Sequence, residues 1–103
     1  MINVSVMYPN KPGAHFDISY YCVKHIPLVQ KVLGPALLKV VVEEGIAGMG
    51  PGARAPYLAL GHLYFESVGS FQEALGPQLA QIQADIPNYT NIEPTIQISN
   101  VRN

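Results

Sequence analysis

The segment FDISYYCVKHIPLV contains the side chains of this chain that are best suited to acid–base chemistry. An imidazole changes its charge near neutral pH, and a phenol can donate a hydrogen bond within apolar surroundings. Tyr21 and His25 are four residues apart, so a helix would bring both to the same face. The spacing favours a site in which His25 acts as general acid or base. Tyr21, together with Tyr64 from a later segment, would donate a hydrogen bond to a substrate oxygen.

A helix over residues 17–33 is predicted to carry this pair, because apolar side chains recur there at helical spacing. Asp17 or Ser19 is available to cap its start, and a Gly-Pro pair suits its end. Pro27 lacks a backbone N–H, so the Val23 carbonyl is free to bond a group outside the regular helical pattern.

His25 falls at the middle of the apolar face when this helix is drawn at about 100° per residue. The same arc contains Ile18, Tyr21, Cys22, Val29 and Val32, and the opposite side contains Tyr20, Lys24 and Lys31. The arc predicts that His25 is buried against a sheet and that Cys22 is a buried, unreactive thiol. A core histidine that only satisfies a backbone carbonyl is the alternative to a functional one.

Four further rings are predicted to contact a bound molecule. His62 and Tyr64 are two residues apart in an extended segment, so they share one side of a strand and are predicted to converge with His25 on one cavity. Tyr8, at the end of the first strand, and Tyr89, near the end of the chain, are the other predicted binding residues.

Metal and phosphate sites fit the residue spacing poorly. No pair among the possible metal ligands shows the i, i+4 spacing that brings two of them to one helix face; these are His15, Asp17, His25 and His62. The glycine-rich stretch GIAGMGPGARAPY precedes a strand rather than a helix, so no helix amino end would face a phosphate there. We predict no metal, no bound cofactor, and a plain connecting role for Arg54 in this loop.

Four strands are predicted from the remaining pattern. Apolar and polar residues alternate over residues 2–8, which is typical of a half-buried strand. Residues 37–44 and 57–66 are apolar on both sides, and residues 92–99 alternate again. Pro94 is best tolerated if this last strand lies at a sheet edge.

A second helix is predicted within residues 70–86, which carry one apolar stripe. Ser70 and Glu73 have the spacing of a capping box, and Gly76-Pro77 should kink or split the helix. The element order is therefore βαββαβ.

This order predicts a single α+β domain over residues 1–103 with the ferredoxin-like arrangement, in which an antiparallel four-stranded sheet carries both helices on one face. The other face of the sheet would be bare, and exposed apolar surface costs about 25 cal/mol per Å². We therefore predict a homodimer in which a second subunit covers that face.

Composition excludes several classes of partner. Six basic and seven acidic residues give a formal charge of −1, with no basic run that could follow a phosphate backbone, so no nucleic acid is predicted. No stretch approaches the roughly 18 apolar residues of a membrane span, and the amino end lacks a basic signal-peptide region. Cys22 is the only cysteine, so no internal disulfide forms. These features favour a cytoplasmic protein.

The chain resembles the EthD family, named for ethyl tert-butyl ether degradation. The most specific matches are the Tyr-x-x-x-His-x-Pro pattern at Tyr21, His25 and Pro27, and the run at residues 87–90, Pro-Asn-Tyr-Thr. The resemblance implies the dimeric α+β barrel fold, in which two ferredoxin-like subunits bring their sheets face to face. It also implies a link to oxidative breakdown of organic compounds, with His25 as the family's histidine.

The leading hypothesis is a protein that binds a small apolar or aromatic oxygenated compound and acts on it by His/Tyr proton transfer, as an oxidoreductase or as an isomerase or cyclase. A carrier or accessory protein to an oxygenase system is the first alternative, because no carboxylate is near His25 in the sequence. A haem-using oxidoreductase with His25 as iron ligand is the second.

Overall fold

The computed structural model describes residues 1–103 and contains one sheet of four strands. The strands are β1 (Ile2–Pro9), β2 (Lys39–Glu44), β3 (Tyr57–Phe65) and β4 (Thr95–Asn100). They are arranged in the order β2-β3-β1-β4, and every neighbouring pair is antiparallel. The predicted α+β, ferredoxin-like architecture is therefore confirmed. Pro94 precedes β4, which lies at an edge of the sheet.

The first helical segment (residues 18–33) is not a regular α-helix. It consists of α1 (Ile18–Tyr20), a π-helical turn (Tyr21–His25) and α2 (Ile26–Leu33). Asp17 caps its start by accepting a hydrogen bond from the Tyr20 N–H. The π-helical turn widens the helix two residues before Pro27, the residue that lacks a backbone donor.

This wider turn changes which side chains of the segment are buried. The buried residues are Tyr21, His25, Ile26, Val29 and Leu33. Cys22, which the regular helical wheel places among them, is exposed, so the prediction of a buried thiol is wrong. The prediction for His25 is confirmed, because its side chain packs on the helix-covered face of the sheet.

The second helical segment (residues 68–88) is split, as the Gly76-Pro77 pair predicts. It contains α3 (Val68–Leu75), a 3₁₀ turn (Gly76–Gln78), α4 (Leu79–Asp85) and a final 3₁₀ turn (Ile86–Asn88). The predicted capping box is wrong: the N-cap is Ser67, whose hydroxyl accepts a hydrogen bond from the Ser70 N–H. The helix therefore begins one turn earlier than its apolar stripe indicates.

Both helical segments pack on one face of the sheet. Apolar side chains from β1 and β3 meet those of the helices there, including Val4, Phe65, Leu33, Phe71 and Ile82. The opposite face carries Met7, Leu60 and His62, none of which is fully buried. None of the helices is both long and apolar enough to cross a lipid bilayer.

Candidate functional site

A cavity of about 440 Å³ lies between the two helical segments and the sheet. Its walls are mainly apolar and include Val6, Val29, Leu75, Ile82 and Ile96. A volume of this size is within the range of pockets that bind small organic molecules. Tyr8, Tyr21 and His25 also line it, so three of the predicted site residues share this cavity.

The π-helical turn aligns the two predicted catalytic rings. Tyr21 and His25 begin and end this turn, and each is buried, with 2% and 4% of its surface exposed. Their rings stack with centroids 5.5 Å apart and planes 16° from parallel. Tyr89 packs against the same imidazole, with ring centroids 4.6 Å apart. His25 therefore packs against two neighbouring aromatic rings, whose own centroids are 5.1 Å apart, at the wall of the cavity.

Asp85, at the end of α4, makes the polar contact that fixes the orientation of His25. Its Oδ2 atom is 2.9 Å from Nδ1 of His25. Its Oδ1 atom accepts hydrogen bonds from the Tyr20 hydroxyl at 2.7 Å and from Nδ2 of Asn88 at 2.9 Å. The carboxylate thus joins the two helical segments through its bonds with Tyr20 and His25, and it bonds Asn88 within its own segment.

These surroundings determine the charge of both partners. Burial lowers the pKa of His25 below its ordinary value of 6.5, and the Asp85 carboxylate opposes this shift without reversing it. Burial disfavours the charged form of Asp85, but hydrogen bonds from Tyr20, Asn88 and His25 outweigh that effect and lower the pKa of its carboxyl group below 3.8. At neutral pH the pair is a neutral imidazole beside a carboxylate.

The charge of Asp85 also selects the tautomer of His25. A carboxylate can only accept hydrogen bonds, so Nδ1 must carry the imidazole proton. The other nitrogen, Nε2, is then an unprotonated acceptor, and it has no hydrogen-bond partner within the chain. Because His25 lines the cavity, Nε2 is the atom of this pair that is available to a bound molecule.

Two buried tyrosines, Tyr21 and Tyr89, pack against this imidazole, and a third, Tyr8, packs against both of them. The hydroxyl oxygens of Tyr8 and Tyr89 are 2.7 Å apart, and the Tyr21 hydroxyl lies directly against Gly61 of β3. Burial raises the pKa of all three phenols well above the ordinary value of 10. They therefore stay protonated at neutral pH and can act only as hydrogen-bonding groups.

His62 and Tyr64 lie on the opposite face of the sheet from His25. In the antiparallel register, Ser5 is opposite His62, and directly opposed residues share a face of the sheet. His62 bonds Glu43 through Nε2 at 2.9 Å and approaches Asn3 and Ser5 through Nδ1. The structure thus corrects the expected convergence of these two rings with His25.

The remaining candidates of the sequence lie outside the cavity. Arg54 is exposed in the connection between β2 and β3. Tyr89 supports the His25 ring without lining the cavity itself. Nowhere in the chain do three or more His, Cys, Asp or Glu side chains gather in a way that could hold a metal ion.

Asp85 and Tyr20 are the site residues that the sequence analysis missed. Asp85 is 60 residues from His25 in the sequence, and the helical wheel assigns Tyr20 to the solvent side of its helix. A signal was present, since Asp85 immediately precedes the Ile-Pro-Asn-Tyr-Thr run. In the structure that run packs against the start of the first helical segment, where the Asp17 N–H donates to the Tyr89 carbonyl.

Comparison with known proteins identifies relatives of this fold. A family model described as EthD domain matches residues 14–93. Among solved structures, an EthD-like protein from Ralstonia eutropha is 42% identical, with a TM-score of 0.93 over 96% of this chain and 89% of that chain. No curated protein matches the chain.

Two more distant structures share the fold alone. An EthD family protein from Bacillus halodurans is 19% identical, with a TM-score of 0.67 over 99% of both chains. A protein from Arabidopsis thaliana is 10% identical, with a TM-score of 0.72 over 100% of this chain and 97% of that chain.

Proposed function

The chain belongs to the EthD domain family, and from that premise we propose that it binds a small apolar or aromatic oxygenated compound and transforms it by proton transfer through His25. The observation that carries the proposal is the unpartnered Nε2 of His25 in an apolar cavity, with Nδ1 bonded to Asp85. An imidazole in this state is a general base at neutral pH.

The reaction needs no partner beyond the substrate. Nε2 removes a proton from a carbon next to a carbonyl group, and the electron pair of that C–H bond moves onto the carbonyl oxygen. The resulting imidazolium is stabilised by the Asp85 carboxylate through Nδ1. The same proton then returns to another atom of the substrate, which completes an isomerisation or a ring closure.

Tyr21 and Tyr8 are the proposed donors to the substrate oxygen. Both line the cavity, and both keep their hydroxyl protons because burial raises their pKa. A donor that faces the developing negative charge stabilises it more in the transition state than in the ground state. Tyr89 supports this set through its hydrogen bond to Tyr8.

A carrier without chemistry of its own is the competing function. The sequence favoured it because no carboxylate is near His25 along the chain. The hydrogen bond between His25 and Asp85 supplies such a carboxylate and weakens that argument. A haem-using oxidoreductase is tested separately by the visible absorption spectrum, since haem ligation by His25 would shift the Soret band and His25→Gln would abolish the shift.

Deuterium exchange distinguishes the enzyme from the carrier. β-Tetralone is an uncharged bicyclic ketone, and its acidic C–H positions exchange in D₂O when a base removes a proton. We expect the wild-type protein to accelerate this exchange. In His25→Gln the acceleration should be at least about 100-fold smaller. His15→Gln is the matched control, because His15 is exposed and outside the cavity.

The two functions predict different results. Binding of β-tetralone by NMR shift perturbation without accelerated exchange would favour the carrier. Exchange that persists in His25→Gln would refute the assignment of His25 as the base.

We also propose that a second copy of the chain covers the open face of the sheet. Met7, Val41 and Leu60 contribute apolar surface to that face. Light scattering on the purified protein tests this proposal, and a monomeric mass at micromolar concentration would overturn it.

A further inference from the structure

The charged side chain that lines the cavity is negative, and no lysine or arginine lines it. Glu93, in the segment before β4, lines the cavity and is exposed to solvent. Asp85 is a second carboxylate, bonded to the far side of the His25 ring. The other polar side chains of the wall are uncharged at neutral pH. A bound molecule would therefore meet one carboxylate in the wall, Glu93, with a second behind the His25 ring, and no positive charge.

All cationic side chains of the chain lie elsewhere. The six lysines and arginines are Lys11, Lys24, Lys31, Lys39, Arg54 and Arg102, and none of them lines the cavity. Lys24 lies over the ring of Tyr20, and Lys39 lies over the ring of Tyr64 on the opposite face of the sheet. Lys11 lines a smaller depression next to Glu93, outside the main cavity.

The absence of a cation has an energetic consequence for an anionic ligand. Moving a carboxylate or phosphate from water into an apolar cavity costs several kcal/mol unless a positive charge compensates it. Here no side chain of the wall can do so, and Glu93 adds repulsion near the solvent. An uncharged ligand of the same shape avoids both penalties.

We infer that the cavity selects uncharged ligands over their carboxylate analogues, and that Glu93 is a specificity-determining residue that repels anions. This inference rests on the proposed function, since it assigns the ligand to the same cavity. It restricts the substrate class to neutral ketones, phenols and related oxygenated compounds. Carboxylates of the same shape are disfavoured.

A pair of ligands with the same ring system tests the inference. β-Naphthol is uncharged at neutral pH, whereas β-naphthoic acid is a carboxylate. We expect the Kd of the carboxylate to be at least about tenfold higher than that of the naphthol, by NMR titration at low salt. Equal Kd values would overturn the inference and leave the proposed function intact. If neither compound binds, the proposed function fails as well.

A charge reversal tests the role of Glu93. The measured quantity is the Kd of β-naphthoic acid divided by the Kd of β-naphthol. We expect Glu93→Lys to lower this ratio by at least about threefold, because it replaces the repulsive charge with an attractive one. Glu73→Lys is the matched control, since Glu73 is exposed on α3 and outside the cavity. If both variants change the ratio equally, overall charge explains the selectivity and the role of Glu93 is refuted.

Discussion

Replacement of Asp85 by Asn is the most direct test of how His25 is held. The substitution keeps the size of the side chain and removes its charge. Three hydrogen bonds end on this carboxylate, at 2.7 Å from Tyr20, 2.9 Å from Asn88 and 2.9 Å from His25. An amide has one acceptor atom, so it can satisfy His25 or the other two donors, but not all of them.

The expected loss of stability follows from where the donors lie. Asn88 is exposed and Tyr20 is only half-buried, so water can replace the carboxylate for both. The His25 side chain is 5% exposed, and its Nδ1 has no such replacement. A hydrogen bond to a charged partner exceeds a neutral one by about 1 kcal/mol, so Asp85→Asn should lower the free energy of unfolding by about that amount. Asp85→Ala leaves Nδ1 unpaired and should cost about 2 kcal/mol.

The assay must report the tautomer as well as stability. Long-range ¹H–¹⁵N spectra distinguish an imidazole protonated at Nδ1 from one protonated at Nε2. We expect the wild-type His25 to be protonated at Nδ1. Asp85→Ala should lose both this preference and the accelerated exchange of the acidic protons of β-tetralone. Asn88→Ala is the control, because it removes a bond to the same carboxylate without touching His25. An unchanged tautomer and an unchanged exchange rate in Asp85→Ala would show that Asp85 does not orient His25.

Three further predictions concern the packing and titration of the site. A methyl group at Gly61 would overlap the Tyr21 hydroxyl, so Gly61→Ala should lower the free energy of unfolding in urea by about 1–3 kcal/mol. The loss should be clearly smaller in a Tyr21→Phe background, and equal losses would contradict this contact. Tyr8→Phe leaves the buried Tyr89 hydroxyl without its partner, so it should lower the free energy of unfolding by about 1–3 kcal/mol. The double variant Tyr8→Phe/Tyr89→Phe should lose less than the sum of the two single losses. The folded state favours neutral His25, because burial lowers its pKa from 6.5. The free energy of unfolding should therefore be unaffected by the titration of His25 above pH 6.5 and should fall as the pH drops from 6.5 toward the lowered pKa. His25→Gln should remove this part of the pH dependence.

The sequence predicts the strands and the burial of His25 because both follow from local hydrophobic periodicity. It fails for Cys22 because the wheel assumes a constant angle per residue. The π-helical turn at Tyr21–His25 breaks this assumption and rotates Ile26 inward while Cys22 faces solvent. Pro27 was the available signal, since a missing N–H permits an irregular hydrogen-bond pattern nearby.

Asp85 could not be assigned to the site from spacing, because its contact with His25 is between two separate helical segments. The relative rotation of two helices depends on how their side chains pack, and the periodicity of each helix taken separately does not reveal that packing. The sequence did bring Tyr21 and His25 together, since a contact within one turn depends only on local geometry.

His25 in the first helical segment and His62 in β3 show why residue type alone is a weak guide to function. His62 has both ring nitrogens engaged, Nε2 by Glu43 and Nδ1 by neighbouring polar groups of β1. His25 has one nitrogen bonded to Asp85 and one without a partner in the chain, at the wall of an apolar cavity. Only the second arrangement leaves a lone pair for a ligand proton. The proposed role of His25 in proton transfer therefore depends on the face of the sheet against which its imidazole packs and on the carboxylate that orients it.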